Sequence, residues 1–68
     1  MHESTIIRVK EKMLHLNLSQ TKLANLLGWD QAKISRILTK DYDPKMGELE
    51  KLAEVLKVDS KWLLYDDN

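Results

Sequence analysis

Residues 20–39 read QTKLANLLGWDQAKISRILT. Two short helical patterns meet there at Gly28. The first carries Leu23, Ala24 and Leu27; the second carries Ile34, Ile37 and Leu38, again at helical spacing. Only Gly28, Trp29 and Asp30 lie between them. Gly28 suits a helix end in the left-handed conformation, and Asp30 suits the cap of the next helix. Helices joined by so short a turn containing Gly cannot lie antiparallel; they cross at a steep angle. Ala24 supplies the small side chain that a close crossing needs. Gln31, Ala32, Lys33, Ser35 and Arg36 are left on the outer face of the second helix.

The flanking sequence supplies three more helical patterns. The first is expected to start after Ser4 and run to about Leu16, with Ile6, Val9, Met13 and Leu16 on one face. Asn17 is a suitable stop. Ser19 is a good cap for the next helix, and Leu18 and Leu23 sit at staple positions. The helix from Gln31 is expected to end at about Thr39. Lys40, Asp41, Tyr42, Asp43 and Pro44 read as the one clear loop. A fourth helix is expected from about Lys45 to Leu56. Leu49, Leu52, Ala53 and Leu56 point inward, with Glu48, Glu50, Lys51 and Glu54 outside. Asp59 can cap a short last helix through Lys61, Trp62, Leu63, Leu64 and Tyr65, and residues 66–68 read as a frayed end. No strand pattern, repeat or low-complexity segment interrupts this. The expectation is an all-α fold, five short helices around one core, in a single domain over residues 1–68 with its motif at residues 20–39.

The pattern resembles the helix-turn-helix of the phage repressor and Cro family. Leu18-Ser19-Gln20, Leu23-Ala24, Leu27-Gly28, Ile34-Ser35 and Ile37 carry the resemblance. Downstream it continues through Pro44, Leu49, Leu52-Ala53, Leu56, Val58 and Trp62-Leu63, and upstream through Arg8-Val9-Lys10 and Leu16. It covers about positions 6–65 and implies a compact lambda-repressor-like DNA-binding domain. It also implies that the helix from Gln31 is the recognition helix, entering the major groove of double-stranded DNA.

Charge bears on that reading. At 68 residues, with 11 Lys+Arg against 11 Asp+Glu, the chain is formally neutral. Taken alone, neutrality argues against a nucleic-acid partner. The distribution differs from the total. Residues 1–40 hold seven cations and three acids, a net +4; residues 41–68 hold four cations and eight acids, a net −4. A basic half carrying the motif can face phosphate while the acidic half faces away. The absence of Cys excludes a disulfide framework and a thiolate metal site. No apolar run approaches a membrane span, and MHESTIIRVK lacks a signal-peptide core. The chain therefore reads as cytoplasmic, without membrane association, and the expectation is a complete chain, with a domain excised from something longer as the alternative.

Under the resemblance, Gln31 reaches base edges, and a Gln can hold adenine N6 and N7 through two hydrogen bonds. Arg36 can pair with guanine O6 and N7 or with phosphate, Ala32 suits a thymine methyl, and Lys33 suits phosphate or solvent. Ser19 and Gln20 lie at a helix N-terminus, where free N–H groups favour phosphate; this Gln is also expected to brace the first residue of the recognition helix. Thr39 and Lys40 are further candidates, with Tyr42 a weaker one. His2 and His15 are expected to be solvated residues rather than a metal site, and no nucleophile, base and orienting acid can be assembled. No cofactor, metal or enzymatic activity is expected.

Two departures from the family stand out. Many members pair a buried Arg in the first helix with a Glu late in the recognition helix; here those positions are Met13 and Leu38. Both partners change together, so an apolar contact can replace the pair. The loop after Leu38 also lacks the usual Gly. Trp29 stands in the turn where a smaller residue is usual and is expected to cover the core edge, while Trp62 is expected in the core. The functional expectation is a sequence-specific transcriptional repressor of bacterial or phage type. It would bind a pseudo-palindromic operator as a homodimer joined through the C-terminal helix region, around Leu63, Leu64 and Tyr65. The alternative is an antitoxin-like or other protein-interaction module that keeps the helix-turn-helix as a scaffold.

Overall fold

A computed structural model describes residues 2–64. Among these residues there are five helices and no strand: α1 Glu3–His15, α2 Gln20–Leu27, α3 Gln31–Leu38, α4 Met46–Val55 and α5 Ser60–Leu64. Tyr65 and the expected frayed end at residues 66–68 lie outside the described residues.

Helix α2 packs chiefly on α3 and then on α4, while α1 lies against α5 and α3. Ile6, Val9, Met13, Leu23, Ala24, Leu27, Ile34, Leu38, Leu52, Ala53, Leu56 and Leu63 form one buried cluster. Every helix therefore gives its apolar stripe to the same core. Ala24 is 2% exposed within that cluster, the small buried side chain of α2. Met13 and Leu38 are both buried within it, so the positions of the family's ion pair are apolar on both sides.

Four of the five helices end in the same way. After α1, α2, α3 and α4 the chain passes through a left-handed residue: Asn17 (φ 59°), Gly28 (φ 73°), Lys40 (φ 68°) and Lys57 (φ 62°). Each end closes a matching pair of backbone bonds. After α2, Gly28 N–H donates to Asn25 C=O at 3.3 Å and Trp29 N–H to Ala24 C=O at 2.9 Å. After α3, Lys40 N–H donates to Ile37 C=O at 3.3 Å and Asp41 N–H to Arg36 C=O at 2.8 Å. Asn17–Leu18 and Lys57–Val58 repeat the pattern. This is the Schellman arrangement, which gives partners to carbonyls that a helix end leaves unsatisfied. Leu18, Trp29 and Val58, the residues just after three of these positions, pack against the core. An apolar contact there commonly accompanies the motif.

Three expectations need correction. Helix α1 begins at Glu3 rather than after Ser4, because the His2 ring accepts the Ser4 N–H at 3.2 Å and supplies the cap. Trp62 is 40% exposed rather than in the core: Leu63 takes the inward position of the short α5, and the Trp62 ring lies at its edge against α1. Arg8 and Lys12, one turn apart on α1, lie over the Trp62 ring at 5.7 and 5.4 Å from its centroid. Glu48 is not an outside residue: it is half-buried and turned toward α3.

Candidate nucleic-acid interface

The outer surface of α3 and the start of α2 adjoin. Ser19 caps α2, its hydroxyl accepting the Lys22 N–H at 3.1 Å. Gln20 is the first residue of α2 and Gln31 the first of α3. The Gln31 side-chain amide donates to the Gln20 side-chain oxygen at 3.4 Å, the expected brace between the two helices. That bond uses one of two amide hydrogens on Gln31. Its second N–H and its oxygen can make a further pair of bonds, the set that adenine accepts and donates in the major groove. Asp30 occupies the cap position of α3 with extended backbone, and its C=O accepts from Lys33 N–H at 3.0 Å. Its side chain makes no capping bond, contrary to expectation.

Beyond Gln31, Ala32 and Arg36 are exposed on α3, as are Thr39 and Lys40 just after it. The Thr39 hydroxyl turns back to donate to Ser35 C=O at 3.0 Å. Lys40 Nζ lies 3.9 Å from a Glu3 carboxylate oxygen; both side chains are largely exposed, so the pair contributes little. Ser19, Gln20, Gln31, Ala32, Arg36, Thr39 and Lys40 thus sit at the first turn of α2 or along α3 and its exit.

Lys33 stands apart from this set. Its ammonium forms an ion pair with Glu48 of α4 and lies 4.4 Å from the centroid of the Trp29 ring and 5.3 Å from that of Tyr42. The other Glu48 oxygen accepts from the Tyr42 hydroxyl at 2.8 Å and from Lys45 N–H at 2.9 Å. Glu48 therefore performs the acidic half of a capping box at the α4 start; Lys45 has no acceptor to complete it. The Lys33 hydrogen bond, the Lys45 N–H and the Tyr42 hydroxyl together hold the Glu48 carboxyl down at about 2. The same carboxylate raises the Lys33 ammonium and the Tyr42 phenol above their usual values. No local signal marks this cluster in the sequence, since Lys33 and Glu48 lie 15 positions apart. The only hint is the Glu three residues after Lys45, where a capping box would put it.

A family model described as helix-turn-helix matches residues 9–63. The chain belongs to the Cro/C1-type helix-turn-helix family. This family membership points to a DNA-binding transcription regulator and is generally non-enzymatic. No curated protein and no solved structure gives a significant match. Among the described residues, no helix is long and apolar enough to cross a membrane, and no group of three His, Asp or Glu could hold a metal ion. In this helix-turn-helix, α2 and α3 are the two motif helices and Gly28–Trp29–Asp30 is the turn.

Proposed function

We propose that the chain is a sequence-specific transcriptional repressor that lays α3 in the major groove of double-stranded DNA. The observation that carries this reading is the Gln20–Gln31 bond. It ties the first residue of α3 to the N-terminus of α2, fixing a base-reading amide relative to a phosphate-binding helix end. Gln31, Ala32 and Arg36 read bases; Ser19, Gln20, Thr39 and Lys40 hold the backbone on either side. Lys33 begins in an ion pair, so its part depends on whether Glu48 releases it. The working form is a cytoplasmic homodimer on a pseudo-palindrome, because one module of this size reads too few base pairs. The C-terminal contact centres on α5. Leu63 is committed to the protomer's own core, which leaves exposed Trp62 and half-buried Leu64 as its described apolar surface.

Selection of bound duplexes from a random pool tests the reading, and two half-sites about one helical turn apart, ~34 Å, are expected. Recovery of no enriched sequence would favour the protein-interaction alternative. On the selected site, Arg36→Ala should cost roughly 1–3 kcal/mol and relax one position. Equal loss on random DNA would reassign Arg36 to phosphate. Gln31→Ala should relax the preference for one adenine.

A further inference from the structure

We infer that Glu48 is a specificity-determining residue: it holds Lys33 against α4 and keeps that charge off the DNA, leaving α3 to be read through Gln31, Ala32 and Arg36. The inference rests on the proposed DNA reading and goes beyond it, since Glu48 belongs to the acidic half of the chain and touches no base.

The geometry supports it from both sides of Lys33. The ammonium is bound to the Glu48 carboxylate and faces the Trp29 ring, so two elements, the motif turn and α4, hold it at once. A cation over an aromatic face is attracted by the ring's negative face, most strongly for Trp. Glu48 is itself held by Tyr42 and by the α4 start, so it cannot readily follow Lys33 outward. A phosphate taking Lys33 would strand that carboxylate, with its proton already lost, near a second negative group. Lys33 is also the only lysine of α3. A free lysine on a recognition helix adds affinity for any phosphate and so for any sequence, whereas base-edge contacts discriminate. Neutralising it from within raises the ratio of specific to non-specific binding at some cost in total affinity.

The test measures binding against salt concentration on the selected operator and on a random duplex. The proteins are wild type, Glu48→Gln, Lys33→Gln, the double variant and Glu50→Gln. A glutamine at position 48 can still accept from Lys45 N–H, which keeps the helix start. Glu48→Gln should steepen the salt slope by up to ~0.9, one phosphate contact, or about 3.5-fold more affinity lost between about 50 and 200 mM salt. Binding to random duplex should tighten by a larger factor than binding to the operator. Lys33→Gln should abolish that gain in the double variant and leave the slope of an otherwise wild-type chain unchanged. Glu50→Gln, with the same charge change at an exposed α4 position, should not steepen the slope. The inference is overturned if Lys33→Gln alone flattens the slope, if the gain survives in the double variant, or if Glu50→Gln matches Glu48→Gln. Should Glu48→Gln fail to fold, Lys33→Gln decides alone. Binding that leaves Glu48→Gln unchanged sinks only this inference; a wild-type chain that binds no duplex sinks the DNA reading with it.

Discussion

The chain leaves α2 through Gly28 at φ 73° and leaves α3 through Lys40 at φ 68°, and both exits close the same pair of backbone bonds. They differ in the residue at the left-handed position and in the residue just after it. Gly28 has no Cβ and adopts that conformation at no steric cost, and the next residue, Trp29, packs on the core. Lys40 carries a Cβ that the left-handed region penalises by roughly 1–2 kcal/mol, and the next residue, Asp41, is exposed. The turn before α3 is thus relaxed and anchored, while the turn after it is strained and fastened by other means. Those means are the apolar cluster holding Leu38 and the Lys33–Tyr42–Glu48 group that ties the exit loop to α4. Hydrogen bonding of the helix end decides the backbone path; the side chain decides only its cost.

The largest expected effect breaks the fastening at Leu38. Leu38→Glu puts a carboxylate among buried apolar groups and should destabilise the fold by several kcal/mol, roughly 3–5 by analogy with a broken buried pair. Met13→Arg together with Leu38→Glu should recover much of that loss. Denaturant unfolding of the two single variants and the double variant measures the coupling. If the double is no better than the sum of the singles, Met13 and Leu38 do not meet, and the α3 exit depends on something else.

The two left-handed positions can be exchanged in character. A Cβ on Gly28 would meet nothing within 4 Å, so Gly28→Ala meets the backbone penalty without a clash, and, net of the stiffer unfolded chain, a loss of about 1 kcal/mol is expected. Lys40→Gly should act in the opposite direction. It relieves a similar strain but loosens the unfolded chain, so the net gain should be about 1 kcal/mol or less. Thermal melts of a domain this size would show such changes as shifts of about 4–8 °C per kcal/mol. A destabilised Lys40→Gly variant would mean that the Lys40 side chain contributes more than its exposed pair with Glu3 suggests.

Legibility in the sequence depends on the range of the interaction. Ser19 and Gly28 announce themselves by residue type, because caps and left-handed turns are local and only a few residues suit them. The apolar stripes are readable for the same reason, one turn at a time. Lys40 and Lys57 give no such sign: nothing about a lysine suggests a left-handed backbone, and the paired bonds that close the helix end hold it there. The family resemblance misplaces Trp62, because the short α5 here gives its inward position to Leu63 and leaves the Trp62 ring at the edge. The braced pair Gln20–Gln31 is legible through the family resemblance, since nothing in either residue type announces it. The Lys33–Glu48 pair is not legible at all. It joins two helices through a loop whose path the sequence leaves open, and a Glu in an amphipathic helix ordinarily reads as a solvated one.

The smallest expected effect separates the two ends of α3 by pH. The Gln20–Gln31 bond at the N-terminal end contains no titratable group, whereas the tie from α3 to α4 depends on the Glu48 carboxylate. Glu48 is held at about 2, below its ordinary 4.5, by Lys33, the Lys45 N–H and the Tyr42 hydroxyl. A depressed folded-state value means the unfolded chain takes up the proton first as pH falls. The stabilisation from Glu48 is therefore fully present above pH 4.5 and is lost as pH falls toward about 2. Melts of wild type and Glu48→Gln should differ by a constant amount above that window and converge within it. Over the same window the side-chain amide signals of Gln20 and Gln31 should hold their positions in NMR spectra, while signals of Lys33 and Tyr42 move. Movement of both sets together would mean the ends of α3 respond as one unit, and the contrast between them would fail. Static amide signals with no convergence of the melts would instead leave Glu48 without the stabilising role its three partners imply. The pair is partly exposed, so salt should reduce the difference between wild type and Glu48→Gln at neutral pH without reversing it.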